Sequence, residues 1–177
     1  SGVSLMNTVS SQDAAIAATG GASKEYLTFM LGEEQYGLAI IQVKEIRGYE
    51  PVTKIANAPD FIKGVINLRG DIVPIIDLRV KFNVSEATYN EFTIVIMLNV
   101  QDRIVGIVVD SVSDVINVTE DEIHPPPEFG VAFDSRYLDG LASVDDGLVI
   151  LVNIERLITS REIGIFDSMN QQNEGSV

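Results

Sequence analysis

The polar residues that most need explaining stand inside an apolar stretch. Phe61 to Phe82 reads FIKGVINLRGDIVPIIDLRVKF, in which two β-branched runs are broken by Asn67, Arg69 and Asp71. A plain core hairpin would put only aliphatic side chains on its inner face, so these three groups require a use. The arginine fork suits bidentate pairing with a carboxylate. Two uses follow: an internal Arg69–Glu45 or Arg69–Asp71 ion pair that closes the fold, or a polar cluster at a partner-binding groove.

Catalytic chemistry finds little else to work with. His124 is the sole histidine and precedes Pro125, there is no cysteine, and Ser111 and Ser143 have no evident base, so nucleophilic catalysis is poorly supported. Asp110 and Asp114, Asp145 and Asp146, and Glu120 to Glu122 are candidate acids, but neighbouring carboxylates in turns ordinarily serve solvation. No glycine-rich phosphate loop is present. An acidic metal-binding or hydrolytic β module is the alternative function; a non-enzymatic binding protein without cofactor fits these residues better.

The elements that must position these residues are mostly strands. Two apolar runs, Val65 to Leu68 and Ile72 to Leu78, flank the turn signal Gly70-Asp71. Pro74 lacks a donor and marks an edge or a bulge. Asp77 is a good N-cap for a helix starting at Leu78. Before this hairpin, Glu25 to Leu31 and Gln35 to Ile41 form another around Gly32-Glu33-Glu34. After it, Thr93 to Val100 and Ile104 to Asp110 flank Gln101-Asp102-Arg103, and Val112 to Val118 continues as a strand. Thr119 to Glu122 reads as a short capped turn and His124 to Pro127 as extended chain. Tyr137 to Val144 and Leu148 to Ile154 flank Asp145-Asp146-Gly147, and a helix starts near Glu155.

Two of these units recur. Gly37 overlays Gly106 at an offset of 69, with Val43 on Val112 and Ile46 on Val115. Gly64 overlays Gly140 at an offset of 76, with Ile72 to Ile76 on Leu148 to Val152 and Asp77 on Asn153. Both hairpins recur in the same order, so the fold expected is mainly β, two small barrels of about five strands each.

With 177 residues, 46% hydrophobic and 21% charged, the chain can bury a real core. The absence of cysteine is compatible with a reducing compartment. No apolar run is long enough to span a membrane, and no basic segment precedes an apolar one at the N-terminus. A net charge of −14 argues against nucleic-acid backbones or anionic membranes as main partners. The charge is uneven: 8 basic and 10 acidic residues up to Asn90, 4 and 16 beyond it. Either two similar surfaces differ by drift, or the halves face different partners. Residues 1–23 read as a disordered tail, 24–169 as one domain of two β subdomains mixed in sequence (roughly 24–90 and 91–160), and 170–177 as a flexible tail.

The segments EYLTFMLGEEQYGLAIIQVKEIRGYEPVTKIANAP, FIKGVINLRGDIVPIIDLR and IVGIVVDSVSDVINV together resemble the CheW-like family of bacterial chemotaxis adaptors, from about Glu25 to Met169. The motif Gly-x-x-Asn-x-Arg-Gly-x-x-x-Pro-x-x-Asp-Leu is carried by Gly64, Asn67, Arg69, Gly70, Pro74, Asp77 and Leu78. The regulatory domain of the kinase CheA and the adaptor half of CheV share the fold and part of this motif. The remaining residues hold no receiver, phosphotransfer or ATP-binding segment, so a stand-alone adaptor is expected. The resemblance implies two intertwined five-stranded SH3-like barrels with short helices and a C-terminal helix. It implies a cytoplasmic adaptor, recruited to membrane-associated receptor arrays and able to self-associate there, joining chemoreceptor hairpin tips to the CheA regulatory domain. By position it implies a kinase-facing patch with Leu27, Ile40 and Val43. It places a receptor-facing groove near Glu45, Asn67, Arg69, Val105 and Gly106. Ile40 and Ile41 are adjacent and cannot both face one interior, so one is expected outward. Phe129, after Pro125-Pro126-Pro127, is either a further anchor for the kinase or a plug in the chain's own core.

Overall fold

The computed structural model describes residues 22–84, 86–126, 135–145 and 147–158. Its strands are β1 (Ser23–Leu31), β2 (Glu34–Ala39), β3 (Val43–Gly48), β4 (Ile62–Leu68), β5 (Asp71–Asp77), β6 (Ile94–Val100), β7 (Arg103–Val109), β8 (Ser111–Thr119), β9 (Ile123–His124), β10 (Leu138–Val144) and β11 (Gly147–Val152). Two short helices follow hairpins: α1 (Leu78–Lys81) after β5 and α2 (Ile154–Ile158) after β11.

The strands form a five-stranded sheet in the order β3-β6-β7-β5-β4 and a six-stranded sheet in the order β8-β1-β2-β11-β10-β9. Each sheet curls into a barrel, here the first and the second. Neither barrel is one half of the sequence. The hairpin β1–β2 has crossed into the second barrel, where β2 runs parallel to β11; the hairpin β6–β7 has crossed into the first, where β7 runs parallel to β5. The exchange is reciprocal: Gly37 pairs with Leu151 as Gly106 pairs with Ile75.

The repeat persists in local detail. Tyr26 faces Ala39 as Val95 faces Val108, and Leu27 faces Val115 as Ile96 faces Ile46. The hairpins β4–β5 and β10–β11 carry the same bulge, at Ile62/Gly64 and at Leu138/Gly140. Six strands against five reflects the short β9; its counterpart is the single Thr53–Val65 bridge.

The exchange also sharpens the charge division. Residues 40–109, which build the first barrel, hold 8 basic and 8 acidic side chains, whereas the described residues of 22–39 and 110–158 hold 3 and 11. Like charge on the second barrel keeps it solvated and disfavours acidic partners there.

One apolar cluster runs through both barrels. Phe29, Leu31, Tyr36 and Leu38 from β1 and β2 meet Ile76, Ile96, Leu98 and Ile107 from the other sheet and Leu78 from α1. Tyr36 stacks between Phe29 (centroids 5.9 Å) and Phe82 (6.1 Å), which carries the contact across the junction. Smaller clusters fill each barrel separately, around Val73, Ile75 and Met97 in one and Val149 and Leu151 in the other.

Two local expectations are refined and two are met. The second strand ends at Ala39, and Ile40–Gln42 form a 3-10 turn, because the chain must there leave one sheet for the other. Pro74 lies on an interior strand, but pairing with β7 begins one residue later, at Ile75, so no ladder bond is lost on that side. Asp77 does cap α1, its carboxylate accepting from the Arg79 backbone N–H. Thr119 and Glu122 likewise form a reciprocal capping box at the turn Glu120–Glu122.

Candidate docking surfaces

The polar break in the central hairpin becomes its tip. Leu68 and Asp71 form the last pair of the β4–β5 ladder, and the side-chain Oδ1 of Asn67, one residue before it, accepts from Gly70 N–H at 2.8 Å. This turn needs left-handed backbone at two successive residues, Arg69 (φ 54°) and Gly70 (φ 92°). The Arg69 side chain is thereby thrown outward, and it is exposed. Neither expected internal partner is used: among the described residues Arg69 forms no ion pair, while Glu45 faces Arg47, 3.8 Å away. That separation is too long for a hydrogen bond, and Glu45 Oε1 is buried without one. Arg47 bonds instead to Glu50. An exposed cation without a partner is free to meet a carboxylate of another molecule.

Other residues indicated by the resemblance fall into two groups. Leu27 and Val105 are 4% and 1% exposed and belong to the shared core. Gly106 is buried where β5 and β7 meet; a Cβ there would stand 2.6 Å from Ile75 Cδ1 and 3.0 Å from Val95 Cγ1. These three are buried and present no contact surface of their own. Ile40 and Val43 are half-buried against the same core. Ile41 between them is the outward one, 90% exposed on the 3-10 turn. Phe129 lies outside the described residues.

A buried polar network at the barrel junction was not anticipated from the sequence. Arg79, 2% exposed, donates through Nε and Nη2 to Asp77 (3.1 and 2.9 Å) and through Nη1 to Asp110 (2.9 Å) and the Thr88 carbonyl (3.0 Å). Tyr89 donates its hydroxyl to Asp77, and its ring lies 4.7 Å from that of Tyr49. Burial works to lower the Arg79 pKa, but the hydrogen bonds and charges of Asp77 and Asp110 raise it above the ordinary value, so the group stays a cation. By sequence alone Asp110 reads as a possible acid. Its available signal was the repeat, which sets this carboxylate against the aliphatic Ile41.

Among the described residues, no group of three or more His, Cys, Asp or Glu side chains could hold a metal ion, and no helix is long and apolar enough to cross a membrane. What the arrangement offers is surface: an exposed isoleucine on one crossing, an exposed arginine on a hairpin tip, and two barrels sharing one apolar core under both.

The fold and these surfaces define a two-barrel β protein of the binding-module class. Residues 25–162 match the model of the CheW-like domain, and the chain belongs to that family. It is 55% identical over 146 residues to a protein from Klebsiella aerogenes named chemotaxis protein CheW, covering 82% of this chain and 88% of the relative. A second relative of the same name, from Treponema pallidum, is 34% identical, covering 78% and 84%. Among solved structures, the scaffolding protein TtCheW from Thermoanaerobacter tengcongensis superposes with a TM-score of 0.72 at 34% identity, covering 80% of this chain and 96% of that one.

Proposed function

We propose that this chain is a non-enzymatic scaffold of chemotaxis signalling, which couples the cytoplasmic hairpin tips of chemoreceptors to the regulatory domain of the histidine kinase CheA. The reading rests on family membership, and the observation that carries it is Arg69. The cation of the family motif is exposed and unpaired among the described residues, on a turn whose backbone serves to present it. A receptor tip is a helical hairpin, so it would lie in a groove with apolar contacts and a polar rim, to which Arg69, Asn67 and Glu45 belong. Val105 and Gly106 support that groove from within the core.

The kinase-facing patch is assigned to the turn Ile40–Gln42 and Val43. Ile41 supplies the exposed anchor, Ile40 and Val43 its half-buried base, and Leu27 the core beneath. Phe129 remains part of this proposal as an aromatic anchor after three prolines in the sequence. With two partners held on one stiff frame, the second association becomes intramolecular, and a change in the receptor can bias the kinase. The protein would work in the cytoplasm at membrane-associated receptor arrays.

The test is a titration against a CheA regulatory domain and a receptor tip, separately and together. Simultaneous binding of both is expected. Mutually exclusive binding would show that the surfaces overlap, and binding to neither would end the adaptor reading.

A further inference from the structure

The chain passes between the barrels at two equivalent places: from β2 to β3 through Ile40–Gln42, and from β7 to β8 at Asp110. The repeat makes their surroundings comparable residue by residue. At an offset of 69, Ile41 corresponds to Asp110 and Gly32 to Gln101; at an offset of 76, Asp77 corresponds to Asn153 and Arg79 to Glu155.

The two crossings are nevertheless built differently. At Asp110, one carboxylate oxygen accepts from Arg79 of the first barrel (2.9 Å) and the other from Gly32 N–H in the β1–β2 turn of the second (2.6 Å). The Asp110 N–H donates to the Met30 carbonyl, again in the second barrel (3.0 Å). With Asp77 and Tyr89 behind Arg79, a continuous polar chain joins the two sheets. At the other crossing the Asp110 position is Ile41, which points into solvent, and the Asp77 position is Asn153, which binds Asp139 within its own hairpin. There, an exposed Gln101–Glu155 hydrogen bond stands at the positions of Gly32 and Arg79.

Stability alone does not call for such a network. A buried ion pair often contributes no more than apolar side chains of the same volume, and a shared apolar core already holds the barrels together. Apolar contact is non-directional and tolerates sliding; a guanidinium fork shared between two carboxylates does not. We propose that Arg79 and Asp110 are positioning residues: their network is the joint that fixes the orientation of one barrel to the other at one crossing, whereas at the other crossing the exposed aliphatic Ile41 stands in place of the Asp110 carboxylate. The functional consequence rests on the coupling role proposed above: partners on different barrels are held in one geometry only while the joint is intact. The joint itself does not depend on that role.

The chain has no cysteine, so a pair introduced at the exposed Asn99 (β6) and Ser143 (β10) can carry two spin labels, one on each barrel. Distances are measured by pulsed electron–electron resonance in the full chain, with Asp110→Leu and the isosteric Asp110→Asn as variants. The parent should give one narrow distribution, Asp110→Leu a broadened or displaced one, and Asp110→Asn, which keeps one acceptor oxygen, an intermediate one. Each partner alone should bind the variants within about twofold of the parent, while assembly of both together weakens about tenfold, since effective concentration depends on geometry. An unchanged narrow distribution in a folded variant overturns the joint; Asp110→Asn decides this if Asp110→Leu does not fold. A changed distribution with undiminished three-component assembly overturns the functional consequence. If neither partner binds the parent, the coupling role fails and the distances still decide the joint.

Discussion

Gly64 and Gly140 stand 76 positions apart with the same backbone angle, φ 150°, and each is pressed against a carbonyl oxygen: that of Thr53 for Gly64, that of His124 for Gly140. Both sit at the bulge where a hairpin bends to close its barrel. A Cβ at either position would collide with backbone, which cannot rotate aside. Gly64→Ala and Gly140→Ala should each cost about 2 kcal/mol or more, from steric overlap and from an unfavourable backbone region. Gly48→Ala, where nothing lies within 4 Å, serves as the control and should change stability by less than about 0.5 kcal/mol. Urea unfolding midpoints decide it; three equal values would show that the bulges carry no such constraint.

The exposed arginine gives a prediction of the opposite kind. Arg69 makes no ion pair among the described residues, so Arg69→Glu should leave stability within about 0.5 kcal/mol of the parent. It should weaken receptor-tip binding at least about tenfold by setting like charge against the partner's carboxylates, and leave kinase binding unchanged. Isothermal titration with each partner separates the two. Normal receptor affinity in this variant would remove Arg69 from the groove.

Core and anchor can be told apart around the first crossing. Ile41→Asp should fold normally and weaken kinase binding, because the side chain is already in water. Leu27→Ala should cost about 2–4 kcal/mol through a core cavity, whatever it does to binding. Chemical denaturation read beside a kinase titration checks both. A folded Ile41→Asp with parent affinity would dismiss the anchor, and a Leu27→Ala of parent stability would contradict the burial.

The strands, both repeats and the Asp77 cap were legible because each is written locally, in alternation, turn residues and short spacings. The exchange of hairpins was not, since β2 chooses β11 rather than β5 through contacts more than a hundred residues apart, and the repeat makes both choices look alike. Of the site, Arg69 could be singled out as a polar break; alternation called for one outward member of Ile40 and Ile41 without saying which, and the residue expected in the patch, Ile40, is the half-buried one. That Leu27, Val105 and Gly106 lie inside follows only from how the barrels pack. The Arg79–Asp110 bond spans 31 residues, and Asp110 goes on to Gly32 of the other barrel 78 residues away, so no local pattern announces the network.

Tyrosine ionisation tests the junction from the alkaline side. Burial, before any charge effect, raises the pKa values of Tyr26, Tyr36, Tyr49 and Tyr89, with Tyr36 pushed up to about 12. Tyr89 has a further cause: losing its proton would end the hydrogen bond to Asp77 and leave two anions in contact. A group whose pKa is higher folded than unfolded stabilises the fold fully below its unfolded value, about 10 for tyrosine, and loses that contribution as pH rises through the folded value. The protein should therefore hold its native circular dichroism to about pH 10 and unfold above it, with most tyrosinate absorbance appearing in the same transition. There is no tryptophan to obscure the signal at 295 nm. Tyr89→Phe, which removes the donor to Asp77, should lower stability at neutral pH by about 1–2 kcal/mol and soften the alkaline transition. Four tyrosines titrating smoothly near pH 10 in a chain that keeps its native spectrum would show that these rings are not held in the junction and barrels as described.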